Sequence, residues 1–153
     1  MNVTYNGEHS VNFINANGVT QNTWNDWRLI PTKKPTVAMP STSGNYIEIP
    51  GMNGSHDITN YLTGGPTFSD RSGSWEFRVA DVTAENWDER INKIASFMHG
   101  QKVKCVLKDD PMYYYEGRVT LSNKTTEGII PSITISYRFA PFKRMTGSNI
   151  TKF

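Results

Sequence analysis

Apolar and polar positions alternate most cleanly near the C-terminal end, where Ile133, Ile135, Tyr137 and Phe139 interleave with Thr134, Ser136 and Arg138. A period of two places each set on its own side of a pleated strand, so this stretch predicts a strand with one buried face. The same rhythm recurs in Val103, Cys105 and Leu107 against Lys102, Lys104 and Lys108, and in Trp75, Phe77 and Val79 against Glu76 and Arg78. Asp109-Asp110-Pro111 reads as the turn before a strand at 113–121, and a further turn is expected at 123–128. Asp70-Arg71-Ser72-Gly73 is read as the turn of a hairpin joining a strand at Phe68 to the strand at 75–79.

Only one stretch changes period. Trp87, Ile91, Ile94, Ala95 and Met98 share a helical face, which predicts a helix over about 83–99. Thr83 is the expected N-cap, with Val82 and Trp87 as a hydrophobic staple. Acidic residues come early, Lys93 and His99 late, and Gly100 ends the run, an order that suits the helix dipole. Short turns between successive strands imply antiparallel pairing. The expected fold is mainly β: an antiparallel sandwich or curled sheet with one packed helix.

The front of the chain is less regular. Tyr46-Ile47-Glu48-Ile49 reads as a short strand stopped by Pro50-Gly51. Pro31, Pro35 and Pro40 keep residues 31–45 out of central sheet positions, so this stretch is expected to be a surface connection or arm. The 153 residues are expected to form one domain, with a core at about 46–143 and an irregular, arm-bearing region at 1–45.

Composition agrees with a β-rich chain. Thr (16), Asn (14) and Ser (12) are abundant, and aromatics reach 12%. Sixteen basic against 14 acidic residues give a net charge of +2, too small an excess for a protein that lives on phosphate backbones. Neither a secretion signal nor a long apolar run is visible, so the protein is expected to be made and folded in a cytoplasm.

Chemistry is hard to find. The chain lacks phosphate-loop, dinucleotide, zinc-protease and nucleophile-elbow motifs, and no cofactor or metal is implied. His9 and His56 read as solvated loop residues, and His99 as a cation at a helix end. Cys105 falls on the inward face of its strand, which makes it a buried small hydrophobe. Lys102, Lys104 and Lys108 read as a solvated face or edge that resists aggregation. Tyr113-Tyr114-Tyr115 cannot all share one face of a strand, which argues against a stacking platform. The sequons at Asn2, Asn53, Asn123 and Asn149 barely exceed the roughly three that composition alone gives.

Several runs carry a resemblance. They are Trp24-Asn25-Asp26-Trp27-Arg28-Leu29-Ile30-Pro31, Tyr46-Ile47-Glu48-Ile49-Pro50-Gly51, Asp70-Arg71-Ser72-Gly73-Ser74-Trp75-Glu76-Phe77, Ile94-Ala95-Ser96-Phe97-Met98-His99-Gly100 and Asp109-Asp110-Pro111-Met112-Tyr113-Tyr114-Tyr115. In this order, across about residues 20–143, they resemble the N-terminal domain of siphophage distal tail (Dit) proteins of phages and prophages of Gram-positive bacteria. The resemblance implies a β-sandwich with one helix, related to the tail-tube fold. It implies a non-enzymatic virion protein at the distal end of the tail, forming a ring, hexameric in that family, between the tail tube and the tip or baseplate. The chain stops soon after Ala140-Pro141-Phe142-Lys143, where the family domain ends, so an adaptor without a second, receptor-binding domain is expected. A tail-tube or tail-completion component of the same fold is the alternative, and a small carbohydrate-binding sandwich a further one.

Ring closure needs head-to-tail contacts. Trp24, Trp27, Leu29, Pro35 and Pro40 are the candidate interface residues, the tryptophans as anchors on a neighbouring copy. The competing reading is that they complete this subunit's own core. DNA is expected to pass through the ring without specific binding, the Lys102, Lys104 and Lys108 face being turned from the bore. No membrane insertion is expected.

Overall fold

The computed structural model describes residues 5–80, 84–125 and 132–153. Among the described residues, thirteen strands and two helices follow in order: β1 (Val11–Ile14), β2 (Thr20–Asn22), β3 (Leu29–Pro31), β4 (Thr42–Ser43), β5 (Tyr46–Glu48), β6 (Ser55–Asp57), α1 (Thr59–Thr63), β7 (Thr67–Phe68), β8 (Arg71–Val79), α2 (Ala84–Met98), β9 (Lys102–Leu107), β10 (Tyr113–Thr125), β11 (Ser132–Phe139), β12 (Lys143–Met145) and β13 (Thr151–Lys152). The fold is mainly antiparallel β, as the alternation implies.

One sheet dominates, with strands in the order β2-β1-β9-β10-β11-β8-β3 and the β12–β13 pair added on β10. The β9–β10–β11 meander is the one the sequence predicts, with Gly117 opposite both Val103 and Phe139. The sheet curls. Phe13 on β1 and Trp75 on β8 are four strands apart in the order, yet their rings lie 6.3 Å apart. Between the facing halves runs a chain of rings: Phe97, Trp27, Phe13, Trp75, Tyr137, Phe139 and Tyr115. Helix α2 buries Trp87, Ile94 and Met98 in this core. Its predicted cap Thr83 and staple residue Val82 lie outside the described residues.

Several expectations are corrected. Val11, Phe13, Trp27 and Leu29 are core residues, so the core is not confined to 46–143 and the first 45 residues are not merely an arm. Alternation here spans only a few residues per strand, too short to be recognised among Asn and Gly. Conversely, none of the described side chains from 41 to 68 is buried. The 68–79 hairpin does not form: Arg71 to Gly73 belong to β8, β7 pairs with β4, and β8 pairs with β11 and β3. Strand β9 is central, between β1 and β10, so its lysines guard no edge. The turn read at 123–128 is not present at 123–125, which belong to β10; residues 126–131 lie outside the described ones.

His99 is not a dipole-stabilised cation in the last helical turn. It follows α2, and its Nδ1 accepts the Leu121 amide at 3.0 Å, which puts the ring proton on Nε2.

Candidate functional site

A tight loop decides where the two tryptophans go. The Asn22 side-chain oxygen accepts the backbone amides of Trp24 and Asn25 at 2.8 and 2.9 Å, and the Asn22 backbone amide donates to Asp26 Oδ2 at 2.7 Å. Arg28 takes a left-handed φ of 54° and returns its amide to Trp24 O. The chain reverses so that Trp27 enters the core, 1% exposed, and Leu29 follows at 0%. Trp24 stays half-buried, edge-on to Tyr5 at 4.8 Å and beneath the Arg28 guanidinium at 4.9 Å. Gly7 lies against it because any Cβ there would sit 2.7 Å from Trp24 Cδ1.

Pro35 and Pro40 are also buried, in a stretch that lies across the core instead of leaving it. Trp75 Nε1 donates to Thr36 O at 2.8 Å, and the Ala38 amide donates to Tyr137 Oη at 3.0 Å. Residues 32–41 are therefore a strap over the aromatic end of the core, not an arm. Trp27, Leu29, Pro35 and Pro40 are spent inside the subunit, and the reading that they complete its own core is the one the contacts favour.

The exposed apolar surface is elsewhere. Strands β5 and β6 form a two-stranded ribbon with every residue exposed, closed by a turn in which Gly51 and Gly54 hold φ of 84° and 74°. Tyr46 (65% exposed), Ile47, Ile49, Met52 and Tyr61 (74%) are all displayed on this arm. Asp57 organises its root. It accepts the Thr59 amide and hydroxyl at 2.9 and 2.5 Å, and Thr59 Oγ1 accepts the Asn45 amide. Those two bonds hold the Asp57 carboxyl below its ordinary value. Phe68, Phe142 and Phe153 gather at the base, with centroids 5.0 to 5.6 Å apart. Sequence reading missed this arm because Tyr46-Ile47-Glu48-Ile49 looks like an ordinary strand. Its partner β6, Ser-His-Asp, has no apolar face, and that was the available signal.

The titratable groups act as ties. The adjacent carboxylates after β9 point apart: Asp109 binds His9 Nδ1 at 2.8 Å, and Asp110 binds Lys143 Nζ at 2.5 Å. His9 is thus tied and not a free loop residue, while His56 lies on β6. Lys102 pairs with Glu116 at 3.1 Å and Lys104 lies over the Tyr114 ring, while Lys108 donates to Gly7 O. Cys105 is fully buried and burial pushes its thiol well above its ordinary value. Burial raises Tyr115 too, while Tyr113 and Tyr114 are half-buried, so the three rings make no shared platform. Among the described residues, no group of three or more His, Cys, Asp or Glu is placed to hold a metal. No described helix is long and apolar enough to cross a membrane.

No family model matches the chain, and no curated protein does. Among solved structures, it is similar to the SPP1 Dit protein (gp 19.1), described as a paradigm of the hub adsorption apparatus in phages that infect Gram-positive bacteria. The TM-score is 0.65 at 17% identity, over 88% of this chain and 52% of that one. The chain thus shares its fold with a Dit protein and spans about half that protein's length.

Proposed function

We propose that this protein is a structural component of a phage tail, acting through contacts between copies of itself and not through catalysis. The supporting observation is the arm at 44–61. A two-stranded ribbon is marginal in water by itself, and this one shows its apolar side chains to solvent with no core beneath them. Burying each large side chain against a neighbour would contribute about 1.5–3 kcal/mol. A head-to-tail contact of that kind closes into a ring when its rotation is right.

On this reading the chain forms a Dit-type ring, a hexamer, at the distal end of the tail, between the tail tube and the tip or baseplate, and is assembled in the host cytoplasm. The arm replaces Trp24, Trp27, Leu29, Pro35 and Pro40 as the interface candidate. DNA passes through the bore without specific binding, and the face carrying Lys102 and Lys104 is turned away from it, consistent with one duplex charge per about 1.7 Å that a basic wall would retain.

Light scattering on the purified chain over a range of concentrations tests the proposal. A mass rising to about six subunits and falling back when Ile47 and Tyr61 are replaced by Ser supports it. A wild-type chain that stays monomeric to millimolar concentration overturns it, and filaments in negative stain would favour a tube component instead.

A further inference from the structure

We propose that residues 33–40 form a releasable strap, and that Arg71, buried beneath it, keeps its closure weak. The strap is anchored at both ends through the backbone: the Thr32 amide donates to Glu76 O at 3.1 Å, and the Ser69 amide to Ser41 O at 2.9 Å. Between these points, among the described residues, no backbone-to-backbone hydrogen bond ties 33–40 to the sheet. Side chains do that work. Trp75 reaches Thr36 O, Tyr137 Oη takes the Ala38 amide and donates to Thr36 O at 3.4 Å, and Val37 packs on the core.

Arg71 is the anomaly. Its side chain enters the core face of β8 and is 2% exposed. Nε donates well, to Pro141 O at 2.8 Å, but Nη1 reaches Ala38 O only at 3.5 Å. Nη2 is buried without a hydrogen-bond partner. The Tyr115 ring lies 5.4 Å from the guanidinium carbon, and among the described residues no carboxylate comes within ion-pair distance. A buried cation without a counter-charge gives up hydration that these contacts replace only in part. Opening the strap returns water to Arg71 while leaving the β8–β11 ladder intact, so the strap opens at a lower free energy than the sheet under it. The Ser69–Ser41 bond and the β4–β7 pair lie beyond the strap and hold the root of the arm, so the opening is confined to 33–40.

Residue-resolved hydrogen exchange on the full chain tests the inference, whatever the oligomeric state. In the wild type the Ala38 amide is expected to exchange about 100-fold faster than the β8–β11 ladder amides. Arg71→Met, of similar length, removes the buried charge and leaves the half-buried Pro141 carbonyl without its donor; it slows Ala38 about tenfold, and Tyr137→Phe speeds it by a similar factor. Ala38 exchanging as slowly as the ladder would refute a separate opening. An Arg71→Met chain that fails to fold, or in which Ala38 exchanges at the same rate or faster, would show that Arg71 fastens the strap. An unchanged Ala38 rate in Tyr137→Phe would remove the hydroxyl from the closure.

Discussion

A Cβ placed on Gly117 would lie 2.7 Å from the Cα of Phe139, its register partner on the neighbouring strand, and would also meet the Arg138 carbonyl. Both obstacles are backbone, which cannot swing aside. Gly117→Ala should therefore spread β10 from β11 at the centre of the sheet. The expected cost is about 3 kcal/mol, read as a fall of roughly 6–12 °C in Tm. Gly100→Ala makes a useful contrast, since space is open there and only the φ of 72° is strained.

Trp27 and Trp24 should part company under mutation. Trp27→Ala removes a fully buried ring between Phe13 and Phe97 and is expected to cost about 3–5 kcal/mol. Trp24→Ala loses a half-buried ring against Tyr5 and Arg28 and should cost about 1–2 kcal/mol. Urea denaturation of both variants checks the ranking, and equal costs would contradict the burial assignment.

Ile47→Ser with Tyr61→Ser changes two side chains that are exposed within the subunit. Subunit stability should hold within about 0.5 kcal/mol per site, while self-association is lost. Chemical denaturation at low concentration, paired with sedimentation at high concentration, separates the two effects.

Alkaline pH should weaken the fold through groups that burial keeps neutral. Cys105 lies well above its ordinary 9.0 and Tyr115 above its ordinary 10.0. In the unfolded chain both lose protons first, so stability is full below pH 9 and declines as pH rises through the folded values. Stability measured from pH 8 to 11 should fall monotonically. Cys105 should resist a thiol reagent in the native state at pH 8 and react once denatured.

Acid should act on the arm root. Asp57 is held below its ordinary 3.8 by Thr59, so this contribution is present above that value and is lost as pH falls through the lower folded one. Proton-detected titration should show the Thr59 amide shifting with the Asp57 carboxyl below pH 3.8, while β9–β11 amides stay unmoved. Asp57→Asn should abolish the shift.

Gly73 and Tyr137 show where local pattern stops being informative. Alternation marks Tyr137 as inward, and it is. Nothing near it in sequence reveals that Gly73 must lack a side chain, yet a Cβ there would stand 2.5 Å from Tyr137 Oη. The two residues are 64 positions apart and meet only because β8 and β11 pair.

The sequence alone determined the local and periodic features: the meander, the single long helix, the inward Cys105 and the outward lysines of β9. Each follows from a period of two or 3.6, which a short window of chain contains. The tertiary structure decided which elements became neighbours. It turned Trp27 and Leu29 into this subunit's core, laid a proline-rich segment across Arg71, and left the Tyr46 strand without a face to bury. Strand order and strap placement depend on non-local packing, where the gain of burial competes with chain entropy over the whole molecule, and no stretch of sequence encodes that balance by itself.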